Sequence, residues 1–79
     1  MRLRIYGRSY CHLCDELVAA LRPLQAQLGF ELEVFDVDAH PDLERQFGER
    51  VPVLVDSQGA EICHYWLNED ALRRHLALE

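Results

Sequence analysis

Cys11 and Cys14 stand three residues apart, between a short alternating segment and a run of helical periodicity. Paired cysteines suit reversible disulfide chemistry when the first lies at a helix N-terminus. There, unpaired N–H groups and a partial positive charge favour a thiolate on the first sulfur. The second sulfur is then placed to close a disulfide once the first has attacked. A bare C-x-x-C is also found in metal sites, so the rest of the chain has to weigh the choice. Cys63 and His64 would complete a zinc-like ligand set with the pair. Adjacent strand residues, however, point to opposite faces, and the spacing lacks a knuckle, so no metal site is expected.

The elements that must position this pair follow from periodicity. Leu3 and Ile5 alternate with Arg2, Arg4 and Tyr6, the period of a strand, and Gly7-Arg8-Ser9-Tyr10 interrupts it just before Cys11. From Asp15, residues Leu17, Val18, Leu21, Leu24 and Leu28 recur at helical spacing, and Gly29 is a natural stop. Pro23 lies within that helix and is expected to kink it or loosen a turn. Glu31 to Val37 reads as a second strand, and Pro41 opens a short helix ending near Gly48. Val51-Pro52-Val53-Leu54-Val55 reads as a third strand. The turn Asp56-Ser57-Gln58-Gly59 joins it to a hairpin partner over Ala60 to Tyr65. Asn68 caps a last helix that carries Leu72, His75 and Leu76. The order is β-α-β-α-β-β-α, with the first two strands parallel across a helical crossover and the last two antiparallel.

Composition narrows the classes. The chain has 79 residues, enough for one small domain, and 49% apolar with 28% charged residues marks an ordered globular protein. Its formal charge is −6 and all eight cations are arginine, in no continuous stripe, so nucleic-acid binding is not expected. No stretch approaches the roughly 20 apolar residues of a membrane span. The first residues hold no apolar core of the kind a secretory signal needs. The expected compartment is the cytoplasm, where a C-x-x-C reads as redox-active before it reads as a staple. The odd count of three cysteines argues the same way.

Pro52 adds weight. A proline at the start of a strand cannot donate a ladder bond and needs a reason to be there. The run Ile5-Tyr6-Gly7-Arg8-Ser9-Tyr10-Cys11-His12-Leu13-Cys14-Asp15 resembles the glutaredoxin family, and Arg50-Val51-Pro52-Val53-Leu54 resembles its cis-proline segment. The resemblance covers residues 1–79 as a single domain. It implies an α/β thioredoxin fold with a four-stranded mixed sheet and helices on both faces. It further implies a cis Val51–Pro52 bond, Cys11 as the attacking nucleophile, Cys14 as the resolving thiol, and a substrate surface made by Arg8, His12, Leu13, Val51 and Pro52. The backbone of Val51 would pair with an extended peptide or with glutathione. Arg8 would meet a substrate carboxylate or favour the thiolate. His12 either assists Cys11 or points to solvent. Cys63 is expected to be a buried or half-buried strand residue.

Two departures bear on the partner. His12-Leu13 replaces the Pro-Tyr common in the family, and no Gly-Gly turn precedes the last helix, where Tyr65-Trp66-Leu67 stands instead. The implied activity is reduction of protein or small-molecule disulfides by a monomer with no bound cofactor. Glutathione or a reductase would act as reductant. The alternative is a non-catalytic module that uses the groove beside Val51-Pro52 to hold a partner.

Overall fold

The computed structural model describes residues 1–78. Strand β1 (Arg2–Gly7) is followed by helix α1 (His12–Leu28), strand β2 (Glu31–Asp36), a 3₁₀ turn over Val37–Ala39 and helix α2 (Pro41–Phe47). Strands β3 (Val53–Val55) and β4 (Glu61–His64) and helix α3 (Glu69–Leu78) complete the order. The expected β-α-β-α-β-β-α succession is therefore present. The sheet runs β2-β1-β3-β4, with β1 and β2 parallel and the β1–β3 and β3–β4 pairs antiparallel.

Two apolar clusters show why each helix takes its side. Leu3, Ile5, Leu54 and Ile62 from one face of the sheet pack with Leu17, Leu21 and Leu24 of α1 and Ala71 and Leu72 of α3. Tyr6, Val53 and Val55 from the other face meet Val37 and Phe47. The alternation of Leu3 and Ile5 against Tyr6 thus sends successive side chains into different layers. Tyr6 stacks on Phe47 with ring centroids 4.4 Å apart, which ties β1 to the end of α2.

Several expectations are refined. Helix α1 begins at His12, so the first cysteine is its N-cap. The helix continues through Pro23, which is exposed, so the carbonyl that loses its partner there faces water. Leu28 extends the apolar pattern in sequence but is 37% exposed. Strand β2 ends at Asp36 because that carboxylate accepts from the Asp38 N–H and turns the chain into the 3₁₀ segment. Strand β3 begins at Val53, leaving Val51 and Pro52 as the loop that leads into it. Asn68 caps α3 as expected, its side chain accepting from the Ala71 N–H at 3.0 Å. No helix among the described residues is long and apolar enough to cross a membrane.

Candidate active site

Register brings the two halves of the site together. Tyr6 pairs with Val53 and Val53 with His64, so the end of β1, the start of β3 and the end of β4 share one edge of the molecule. The dithiol segment leaves that edge from Gly7, and the Val51–Pro52 loop enters it. The Val51–Pro52 peptide is cis. The Pro52 carbonyl accepts from the Tyr65 N–H at 2.8 Å, which joins the loop to the segment after β4.

Cys11 and Cys14 form a disulfide pair, with Cα atoms 5.2 Å apart. Cys11 is extended, at φ −112° and ψ 108°, as an N-cap residue must be, and its sulfur accepts from the Cys14 N–H at 3.1 Å. Its carbonyl takes the Asp15 N–H, the first helical bond. Cys11 is partly exposed whereas Cys14 is buried. That asymmetry is the one an outward-facing nucleophile and an inward-facing second thiol require. Beside Cys14 lies a cavity of about 230 Å³ walled in part by Gly7, Arg8, Asp15, Val34 and Phe35.

Gly7 makes room for the second sulfur. A Cβ on Gly7 would lie 3.0 Å from Cys14 Sγ, inside ordinary contact distance. Tyr10, directly before Cys11, sits at φ 58° with its ring fully exposed. A left-handed tyrosine is uncommon, and it sets the turn that aims the chain into α1.

The remaining expected residues are placed as follows. His12 is exposed at the first helical position, while Leu13 and Val51 are partly buried and Pro52 is buried. Arg8 points its guanidinium across to the α2 side, pairing with Glu44, lying 3.8 Å from Asp38 and reaching the Gly48 carbonyl at 3.4 Å. Its charge is engaged within the protein. Arg50, next to Val51, is likewise held, 2.8 Å from Glu61. Cys63 is half-buried on β4. Burial pushes its thiol up, and the nearby Glu61 carboxylate adds to that against a hydrogen bond from the Asn68 N–H.

Tyr65 was not legible as a site residue. It adopts φ 65°, and its hydroxyl donates to the Glu49 carbonyl at 2.7 Å, just upstream of Val51. Nothing in its sequence context marks a left-handed position, which glycine usually fills. Trp66 follows it, 66% exposed, at the lip of a groove against α1.

The chain's likeness to known proteins agrees with this geometry. A family model described as Glutaredoxin-like domain (DUF836) matches residues 2–77. The solution structure of protein Ne2328 from Nitrosomonas europaea is 44% identical, with a TM-score of 0.85 over 94% of this chain and 88% of that one. Protein Rv0508 of Mycobacterium tuberculosis is 30% identical over 96% of this chain and 82% of its own length. The structure of Escherichia coli glutaredoxin, 24% identical, superposes with a TM-score of 0.60 over 94% of this chain and 92% of that one. That last likeness establishes the thioredoxin fold.

Proposed function

Because the chain belongs to the glutaredoxin-like domain family, we propose that it is a thiol–disulfide oxidoreductase working through Cys11 and Cys14. The observation that carries the reading is the pairing of a partly exposed N-cap cysteine with a buried second cysteine at the edge that also holds cis-Pro52. In the reduced protein the Cys14 N–H and the other free amides at the start of α1 stabilise the Cys11 thiolate. Asp15 and Glu16 oppose them, but both side chains are exposed and free to turn away from the sulfur, whereas the amide donates directly to it.

The thiolate attacks one sulfur of a substrate disulfide, and the other sulfur leaves and takes up a proton. Cys14 then gives up its proton and closes on Cys11, releasing the second substrate thiol. Two electrons pass to the substrate, and an external thiol reductant, glutathione or a reductase, returns them. The backbone of Val51 offers the extended segment of a substrate a strand-like partner. Leu13 and Pro52 supply the apolar surface beside it, and His12 and Arg8 flank the dithiol. The cytosol is the compartment in which such a dithiol is kept reduced.

The test is reduction of a chromogenic model disulfide by the pre-reduced protein. The wild type should release two fast equivalents of chromophore per chain from Cys11 and Cys14, any slower third coming from Cys63. Cys11→Ser should lose at least about a thousandfold in the fast rate, as expected when a covalent nucleophile is removed. Full activity in Cys11→Ser would refute the assignment.

A further inference from the structure

Between α1 and the segment after β4 lies a groove of about 350 Å³, lined by Glu16, Leu17, Ala20, Tyr65, Trp66 and Leu67. Its α1 wall begins two residues after Cys14. Leu13, Glu16, Leu17 and Ala20 recur at spacings of three and four along α1, so they share the face that starts within the C-x-x-C. At its far wall Tyr65 is bonded to Pro52. A substrate segment laid along Val51 and Pro52 therefore runs into this groove.

The groove has the chemistry of a cation site. Its floor is apolar, its lip is an exposed indole, and Glu16 at the rim has no ion-pair partner among the described residues. An arginine or lysine side chain matches all three, with its aliphatic stem on Leu17 and Ala20 and its charge between the carboxylate and the indole face. An acidic group would meet the Glu16 carboxylate, which no ion pair neutralises among the described residues. Arg8 and Arg50, the arginines flanking the site in sequence, are engaged by Glu44 and Glu61. Glutathione carries two carboxylates, and neither of these two guanidiniums is free to meet them.

We infer, on the footing of the oxidoreductase reading above, that the substrate is a polypeptide disulfide with an arginine or lysine near its cysteine, and that Glu16 and Trp66 select it over glutathione. The electron balance is that of the exchange already described, with an external thiol reductant closing the cycle.

Peptides of equal length can test this, each bearing one cysteine as a mixed disulfide with 2-nitro-5-thiobenzoate and flanked on both sides by Arg, Ala or Glu. The glutathione mixed disulfide of the same chromophore is run beside them. Single-turnover rates with pre-reduced protein at low salt are divided by those of a free small thiol on the same compound, which removes the effect of flanking charge on the disulfide itself. The Arg peptide should react about tenfold faster than the Ala peptide, the Glu peptide and the glutathione disulfide more slowly still. Glu16→Lys should reverse the order of the Arg and Glu peptides, and Trp66→Ala should shrink the Arg-to-Ala ratio. Equal rates for all peptides, an unchanged order in Glu16→Lys, or a fastest reaction with the glutathione disulfide would overturn the inference while leaving the oxidoreductase reading intact. No reduction of any of these disulfides would overturn both.

Discussion

The Cys14 N–H donates to Cys11 Sγ at 3.1 Å, so the first residue of the pair caps the helix through the backbone of the second. Under the proposed exchange, backbone and side chain of Cys14 serve successive stages. In the proposed reaction the amide holds negative charge on Cys11 before attack, and the Cys14 sulfur discharges the mixed disulfide afterwards.

The reduced protein should show two distinct thiol populations. Cys11 should be alkylated at a lower pH than Cys63, whose thiol is pushed up by burial and by Glu61. Iodoacetamide labelling read by mass spectrometry across pH 5–10 tests this. Coincident profiles for the two residues would mean that the helix start does not favour the Cys11 thiolate.

Gly7→Ala should crowd the second sulfur, because the new methyl group would sit 3.0 Å from Cys14 Sγ. Overpacking of this kind costs about 1–3 kcal/mol. A lower denaturation midpoint with a slower second step of exchange is the expected result. Unchanged stability and kinetics would show that the loop gives way freely.

Asp56 links stability to pH. Burial alone would raise its carboxyl, but the hydrogen bond from His75 at 2.9 Å and the Gln58 and Ala60 N–H groups outweigh burial and hold it below its ordinary value of 3.8. A depressed folded pKa means that the unfolded chain binds the proton first as pH falls. The stabilisation is therefore fully present above 3.8 and lost as pH drops through the lower folded value. Asp56→Asn should lower stability at pH 7 by about 1–2 kcal/mol and flatten its decline below pH 4 relative to wild type. Parallel pH profiles for the two proteins would contradict this role.

Tyr65→Phe removes the hydroxyl that holds the Glu49 carbonyl above the Val51–Pro52 loop. The loss of one such bond is worth about 0.5–1.5 kcal/mol. Faster hydrogen exchange at residues 49–51 is expected, with the α1 amides unaffected. Equal exchange in both proteins would show that the hydroxyl does not hold the loop.

The layers of the fold were legible because they rest on short-range pattern. Leu17, Leu21 and Leu24 recur at helical spacing and are buried, and Leu3 and Ile5 alternate and are buried. The dithiol and Pro52 were legible because their residue types permit few other uses. What escaped is tertiary. Arg8 reads as a free cation in sequence, and only folding shows that Glu44, far along the chain, takes its charge. Tyr10 and Tyr65 occupy left-handed positions that a glycine would have announced. The groove between Glu16 and Trp66 joins segments that no local pattern connects.

The most direct measurement is capture of the mixed disulfide. Cys14→Ser, incubated reduced with a peptide disulfide, should accumulate one peptide adduct per chain, mapped by mass spectrometry to Cys11, which added free thiol then releases. Wild type under the same conditions should end as the Cys11–Cys14 disulfide with no adduct. An adduct mapped to Cys63, or none at all with the peptide disulfide left intact, would contradict the assignment of Cys11 as nucleophile and Cys14 as the thiol that resolves it.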